Sequence, residues 1–191
     1  MANVFDKITG QSHIVAESSL LMATYGGAMI RDLIMDKDRD NGTVVGRSAV
    51  ASTYKDVQAF AAKDAVAGEP VYLLLNPPLG YNSDRKSYQE EKYFYNAKDE
   101  VVRAYELRAE DIFTVSANAI TPLATSGAVV GNYVTFDKTT GKYVEAAAAP
   151  TEAGDYICLA QIIEVVNYHN SAADSIAYRL LVVAPSKTIT E

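Results

Sequence analysis

The sequence predicts a mainly β protein, with a small β-barrel or β-sandwich in its C-terminal half. Short runs of β-branched and aromatic residues recur along the chain, and polar segments separate them. Turns recur about every 8–15 residues, a spacing typical of small barrels and sandwiches. An N-terminal extension that carries a hairpin and short helices completes the predicted fold.

The clearest strand signals lie in the C-terminal half. They are residues 112–116, 133–136, 142–145, 156–166 and 175–183. Gly141 ends the polar turn between the second and third of these runs, and Gly supplies the positive φ angle that a tight hairpin needs. We therefore expect a hairpin over residues 133–145 and two long strands near the C-terminus.

The first half of the chain carries weaker signals. Residues 28–35 and 43–46 flank the pair Asn41-Gly42, which predicts either a β-hairpin or a longer surface loop. The Ala-rich residues 54–63 favour a short helix. Residues 14–25 also favour a short helix, or else an arm that becomes ordered only on a partner.

Further strand signals precede the clearest ones. Residues 71–75 predict a compact strand, and a polar loop over 80–92 follows it. Residues 93–95 and 101–107 then flank a polar turn, which predicts a second hairpin. The chain thus divides into three segments: an N-terminal arm or extension (1–30), a hairpin-containing region with the polar loop (31–92) and the barrel or sandwich (93–191).

Composition excludes several classes of protein. The 191 residues include 17 Lys and Arg against 24 Asp and Glu, a net charge of −7, and this acidic balance argues against a nucleic-acid partner. Apolar residues make up 49% of the chain, enough for a real core. The apolar runs fall short of the roughly 18–20 residues that span a bilayer, so we expect no membrane association. The opening residues do not resemble a signal peptide, which predicts synthesis in a cytoplasm.

The sequence offers little catalytic or metal-binding chemistry. One Cys and two His cannot supply a multi-Cys zinc site or a disulfide framework. No phosphate-binding Gly loop or nucleophile motif occurs, so we expect no enzyme activity, no cofactor and no metal. His13 and His169 are predicted to have structural or solvated roles, and Cys158 to be a buried, inert thiol.

Three carboxylates at alternate positions, Asp36, Asp38 and Asp40, come closest to a metal loop. A calcium loop of the EF-hand type needs Gly at its sixth position and Glu at its twelfth. Counting from Asp36, those positions hold Asn41 and Arg47, so the motif fails. Two interpretations stay open: a charged hairpin tip, or weak adventitious calcium binding.

Several segments resemble head decoration proteins of tailed bacteriophages. The resemblance spans residues 90–185. It rests on YFYNAKDEVVRAYEL (93–107) followed by DIFTVS (111–116), on GNYVTF (131–136) before a Gly-turn hairpin, and on ICLAQIIEV (157–165). The opening MANVFDK is also similar to phage virion proteins.

This resemblance implies a non-enzymatic virion protein at the capsid surface. Its partner would be the major capsid protein. It would bind the outer surface of the head and stabilise the capsid lattice, and it would act as a homo-oligomer, a trimer. The alternative is a β-sandwich binding module of a head fibre or adhesin that recognises a glycan. The 13 Tyr suit either, because Tyr is common both in strands and at interfaces.

Isolated apolar residues in the N-terminal segment are the candidate capsid contacts. They are Val4, Phe5, Ile8, Ile14, Val15, Leu20 and Leu21. The segment has no sustained period of 2 or 3.6 residues, which is typical of an arm that docks separate anchors on a neighbour. The alternative is that these residues complete the core of their own chain.

Overall fold

The computed structural model describes residues 13–23, 30–54, 57–77, 92, 94–150, 155–167 and 176–187. Strands dominate this part of the chain, which confirms the predicted mainly β fold. Its helical elements are two three-residue 3-10 turns at Ser18–Leu20 and Ala117–Ala119. Of the two alternatives for residues 14–25, a short helix is limited to the 3-10 turn Ser18–Leu20 in the described residues 14–23, because the residues around this turn are extended and bond to a strand.

Five strands form a closed barrel in the order β1-β3-β2-β4-β5. Their bounds are β1 Ile30–Ile34, β2 Val44–Tyr54, β3 Val57–Asp64, β4 Tyr72–Leu74 and β5 Val101–Glu106. The pairing of β1 with β3 is parallel, and the other four pairings are antiparallel. The closed barrel thus lies in the first half of the chain rather than in the C-terminal half, and β5 completes it from beyond the polar loop.

Six further strands form a sheet in the order β6-β11-β10-β8-β9-β7. Their bounds are β6 Ile112–Ser116, β7 Ile120–Thr121, β8 Tyr133–Asp137, β9 Lys142–Ala146, β10 Tyr156–Asn167 and β11 Ile176–Lys187. β6 and β7 stand at opposite ends of this order, and in the chain only the three-residue turn Ala117–Ala119 separates them. A link of three residues spans at most about 14 Å, so the sheet must curl into a half-barrel whose two edges approach each other.

Two hairpins that the sequence suggested do not form in the first half, and at Asn41-Gly42 the other alternative, a longer loop, joins β1 to β2. Gly42 does adopt a positive φ of 79°, but β1 pairs with β3 and β5 and not with β2. The predicted hairpin over 93–107 fails likewise: β5 forms, whereas Asn96 makes an isolated bridge to Arg39. In both places the residues predicted a turn correctly, but the strand pairing expected across that turn does not form.

The described residues of the Ala-rich segment, Tyr54 and 57–63, lie in strands rather than in a helix. β3 pairs with β2 on one side and with β1 on the other. Ala59 and Ala62 are buried on this strand, and Ala62 contributes to the barrel interior. Tertiary pairing therefore overrides the helix propensity of Ala, because a small side chain fits the inside of a narrow barrel.

The second half follows the sequence more closely. β6, the β8–β9 hairpin and the long pair β10–β11 lie where they were predicted. Gly141 ends the hairpin turn with a φ of 71°. β8 pairs with β9 and β10 with β11, each the next strand in sequence, which is why local patterns identify the two hairpins. β6 instead pairs with the distant β11.

One apolar core joins the two sheets. On β4, Leu73 packs into a core shared with the half-barrel, while Tyr72 and Leu74 fill the barrel interior. All three side chains are buried, so β4 is covered on both faces. Tyr143 of β9 spans the junction: its ring packs against Phe136 at 5.3 Å, and its hydroxyl donates to the Gly42 carbonyl of the barrel at 2.8 Å.

Candidate interaction surfaces

The N-terminal residues 13–22, here called the strap, run antiparallel along the outer edge of β6. The N–H of Met22 donates to the carbonyl of Ile112 at 2.8 Å, and the reverse bond is 2.9 Å long. At the other end, the N–H of Ser116 donates to the Val15 carbonyl at 2.9 Å, and the Ser116 hydroxyl accepts from the N–H of Val15. The strap therefore covers an edge of the half-barrel that would otherwise expose unpaired backbone groups.

The strap also joins the half-barrel to the barrel through Asp40. One carboxylate oxygen of Asp40 lies 2.7 Å from Nδ1 of His13, and the other accepts from the N–H of Ile14 at 2.9 Å. The His13 ring packs on Tyr95 at 5.1 Å between centroids. Asn118 donates to the His13 carbonyl at 3.0 Å. His13 thus has the structural role predicted for it, whereas His169 lies outside the described residues.

The predicted capsid contacts divide between the strap and the residues before it. Ile14 is buried in the shared core and Val15 in a small cluster with Ala177. Leu20 and Leu21 are partly buried and pack against the same two clusters. The remaining three lie outside the described residues: Val4, Phe5 and Ile8. In this conformation the strap residues complete the core of their own chain, which is the alternative to contact with a capsid.

The three alternating carboxylates have separate partners. Asp36 accepts from the guanidinium of Arg39 at 3.0 Å, and Asp38 accepts from the N–H of Lys98 at 2.8 Å. Asp40 binds the strap, as described above. Among the described residues, no group of three or more His, Cys, Asp or Glu side chains could hold a metal ion. The arrangement favours a structural interpretation of this loop.

A second polar anchor, Glu145 of β9, holds the loop between β7 and β8. Its carboxylate accepts from the N–H groups of Leu123 and Val129, both at 2.8 Å, and from the Asn132 side chain at 2.7 Å. Glu145 is only 2% exposed. We call residues 122–132 the clamped loop, because three bonds to one buried carboxylate fix its shape.

The ionised form of Glu145 is favoured by these donors. Burial raises the pKa of this carboxyl, but the hydrogen bonds from Leu123, Val129 and Asn132 outweigh burial and leave the pKa below its ordinary value of 4.5. A carboxylate that accepts several N–H bonds is stabilised without any cationic partner. The clamp is therefore intact at neutral pH.

The clamped loop presents apolar side chains to solvent. Leu123 is 62% exposed, Val129 51% and Val130 49%. The hydroxyl of Tyr178 on β11 accepts from the N–H of Ala128 at 3.1 Å, which holds the loop against the long hairpin. Large aliphatic side chains on a rigid, exposed loop are typical of contact surfaces in proteins.

Cys158 is buried, as the sequence predicts. It is fully enclosed in the shared core, and burial raises its pKa to about 12. A thiol in that state carries almost no thiolate at neutral pH, so it is a packing group and not a nucleophile.

An open groove of about 640 Å³ borders the β8–β9 turn on the barrel side. Its walls combine the aromatic ring of Tyr156 with the carboxylates of Asp137 and Asp155 and the apolar Val66. Asp137 is engaged locally, since it accepts from the N–H of Thr139 at 2.9 Å.

Sequence reasoning missed both Glu145 and the clamped loop. Two signals pointed to them. Glu145 is two residues from Tyr143 on one strand, so both face inward, and an inward Glu must have donors. Residues 112–136 contain no Asp, Glu, Lys or Arg, although 21% of the chain is charged.

Comparison with known proteins gives no relative. No protein-family model matches the chain, and no curated protein matches it. Among the described residues, no helix is long and apolar enough to cross a membrane.

Proposed function

We propose that this chain is a non-enzymatic virion protein that binds the outer surface of a phage capsid and stabilises the head lattice. Residues 1–12 are the attachment arm, the major capsid protein is the partner, and the protein acts as a homo-oligomer, a trimer. The resemblance to head decoration proteins supports this role. The observation that carries it is the strap, because it gives an arm a fixed point of attachment.

The strap supports a proposed arm that begins before His13. Bonds from His13 and Ile14 to Asp40 fix the start of the strap at the junction between barrel and half-barrel. The residues before this point include the apolar Val4, Phe5 and Ile8. Apolar anchors upstream of a rigid attachment point suit docking into grooves on a neighbouring protein.

Weak arm contacts suffice on a repeating lattice. Ordering a backbone residue costs about 1–2 kcal/mol, and apolar burial returns roughly 25 cal/mol per Å². Each arm is therefore a modest binder by itself. Several arms on one oligomer raise the effective concentration of the others, so attachment becomes strong without any new contact.

Two truncations test the proposal, with cosedimentation on the cognate capsid as the binding measurement. Deleting residues 2–12 should abolish cosedimentation and leave the melting temperature unchanged. Deleting residues 2–22 should also lower the melting temperature, because it removes the strap. Full capsid binding by the shorter truncation would contradict the proposal.

A matched pair of triple variants examines the arm side chains themselves. Replacing Val4, Phe5 and Ile8 by Ser should abolish capsid binding. Replacing their polar neighbours Lys7, Thr9 and Gln11 by Ser should have little effect. Equal binding by the two triple variants would show that the apolar residues are not the anchors.

The groove beside Tyr156 favours glycan recognition as a second candidate function. A sugar ring packs on an aromatic side chain, and its hydroxyls donate to carboxylates. In this case Tyr156→Ala should abolish binding to a glycan array, and Val183→Ala, on the exposed part of β11, should not. Failure of the wild type to bind any glycan, with retained capsid binding, would exclude this alternative.

A further inference from the structure

The turn residues Asn41 and Gly42 lie where the barrel, the half-barrel and the strap meet. The N–H of Gly42 donates to the Leu74 carbonyl of β4 at 2.8 Å, and the Gly42 carbonyl accepts from the Tyr143 hydroxyl at 2.8 Å. A Cβ atom at position 42 would lie only 3.1 Å from the side chain of Ala16 in the strap. This close approach and the positive φ of 79° both favour glycine here.

The side chain of Asn41 uses both ends of its amide group. Its Nδ2 donates to the Asn76 carbonyl at 2.8 Å, and its Oδ1 accepts from the Asn76 N–H and from Nδ2 of Asn96, both at 3.1 Å. Asn41 is only 5% exposed. A carboxylate in its place would accept from the same two donors but would have no proton for the carbonyl. The fold therefore favours an amide at position 41 and glycine at position 42.

An asparagine that precedes glycine is chemically labile. The backbone nitrogen of the glycine attacks the carbonyl carbon of the asparagine side chain, the bond from that carbon to the side-chain nitrogen breaks, and the displaced proton leaves with this nitrogen as ammonia. Water then opens the five-membered imide at one of its two carbonyls, which gives aspartate or isoaspartate. Glycine hinders the attack least because it has no side chain. The reaction consumes water and needs no other reactant.

Hydrogen bonds at the junction between barrel and half-barrel oppose this reaction. The Gly42 N–H is bonded to the Leu74 carbonyl, so a base in solvent does not reach its proton. The bonds to Asn76 and Asn96 keep the Asn41 amide engaged, whereas the attack needs a side chain that is free to reorient. Conversion therefore requires the junction to open, and its rate follows the population of the open form.

We infer that Asn41 is a modification site under the control of this junction: it is stable while the junction is closed and converts to aspartate or isoaspartate when the junction opens. Either product prevents the original closure. Aspartate places a carboxylate against the Asn76 carbonyl and leaves that carbonyl without its donor. Isoaspartate adds a carbon atom to the backbone before Gly42, which displaces the Gly42 N–H and carbonyl from their partners. The inference does not depend on the proposed capsid function.

Peptide mapping by mass spectrometry measures the conversion in the full chain. The protein is incubated at mildly alkaline pH in native buffer and in guanidinium chloride, and the ratio of the two rates gives the protection by the fold. Asn41 should convert in guanidinium chloride and stay largely unchanged in native buffer. Asn76 is an internal control, because the following Pro77 has no N–H for the attack. Equal rates in the two solutions, or no conversion in guanidinium chloride, would overturn the inference.

Two variants weaken the junction without altering Asn41 or Gly42. Tyr143→Phe removes the bond to the Gly42 carbonyl, and Asp40→Ala loosens the strap. Each should lower the protection about fivefold, the change in open population that corresponds to about 1 kcal/mol. Each variant is compared with its own rate in guanidinium chloride, so the effect of a neighbouring side chain cancels. Asp38→Ala is the control and should be protected like the wild type. Full protection in both Tyr143→Phe and Asp40→Ala would show that the junction does not control the site.

Asn41→Asp tests the consequence of the modification. This variant carries the aspartate product from synthesis onward. Its melting temperature should lie at least about 2–4 °C below that of the wild type, the shift that 1 kcal/mol produces in a chain of this size. The reason is the Asn76 carbonyl, which loses its donor. Identical melting of Asn41→Asp and the wild type would contradict the inference that the product prevents closure.

Discussion

The barrel and the half-barrel differ in how they treat their strand edges. Every barrel strand is paired on both sides, so this sheet has no edge. The half-barrel ends in β6 and β7: the strap, with its 3-10 turn Ser18–Leu20, lies along β6, and the clamped loop follows β7 in the chain. Open edges need cover, and the strap supplies it along β6.

Asp64 of the barrel and Glu145 of the half-barrel differ in how they are held, although Arg39, the second donor to Asp64, is itself buried. In the barrel, Asp64 and Lys37 form an ion pair at 2.8 Å with both side chains about half exposed. In the half-barrel, Glu145 is buried and receives only neutral donors. Exposed ion pairs contribute little to stability, whereas an unsatisfied buried carboxylate is costly. We therefore expect acid and mutation to affect the half-barrel first.

The largest effect is expected from Tyr143, which joins the two sheets. Tyr143→Ala should lower the free energy of unfolding by about 3–5 kcal/mol, the usual cost of removing a buried aromatic side chain. Tyr143→Phe should cost about 1 kcal/mol, because only the bond to the Gly42 carbonyl is lost. Chemical denaturation measures both. A Tyr143→Ala variant as stable as the wild type would show that the sheets do not depend on this junction.

Glu145→Gln should have the next largest effect, about 1–3 kcal/mol, because an amide is a weaker acceptor and brings its own buried donors. The pKa of Glu145 is lowered on folding, so its contribution is complete above the ordinary pKa of 4.5 and is lost as the pH falls through the lowered value. Wild-type stability should therefore decrease more steeply below pH 4.5 than that of Glu145→Gln. If the stabilities of the wild type and of Glu145→Gln decreased equally as the pH is lowered, the ionised Glu145 would not stabilise the loop as described.

Asp40→Ala should cost about 1–2 kcal/mol, since it removes the bonds to His13 and Ile14 and loosens the strap. Asp38→Ala is the control in the same loop, because the bond of Asp38 to the Lys98 N–H lies at the surface. Thermal melts should place the control within about 0.5 kcal/mol of the wild type. A larger loss of stability in Asp38→Ala than in Asp40→Ala would mean that Asp40 does not hold the strap.

The smallest effect is expected in the barrel. A hydrogen bond from Lys37 lowers the pKa of Asp64 against the opposing effect of burial, with Arg39 as a second donor. Because both Asp64 and Lys37 are about half exposed, Asp64→Asn should cost less than about 1 kcal/mol. The cost should decrease further in high salt. A loss as large as that of Glu145→Gln would contradict the difference between the sheets.

Sequence patterns predicted the half-barrel better than the barrel for a physical reason. β8 and β9 are adjacent in sequence and share a turn whose Gly141 specifies it, so local signals suffice. β1 instead pairs with β5, far along the chain, and with β3 in parallel. No turn residue encodes such pairings, and the Asn41-Gly42 signal was correct as a turn and wrong as a hairpin.

For the candidate surfaces, too, the sequence indicates which residues are buried but not which distant residues they contact. The apolar pattern identified Ile14 and Val15 as residues that must be buried, but not by which strand. The hydrogen bonds of Val15 to Ser116 place the strap along β6 of the same chain, where Val15 clusters with Ala177 of β11 and Ile14 joins the shared core. Glu145 could have been found from its inward position beside Tyr143, whereas the loop that it holds could not, because Leu123 and Val129 meet its carboxylate only in the folded chain.

Amide hydrogen exchange in the free protein tests most directly whether the strap belongs to the fold and the arm begins before it. The N–H groups of Ile14, Val15 and Met22 are all bonded in the structure, to Asp40, Ser116 and Ile112. They should exchange as slowly as the amides of β6, with or without capsid. Rapid exchange at these three positions in the free protein, slowed only when capsid is added, would contradict this division and place the strap in the arm.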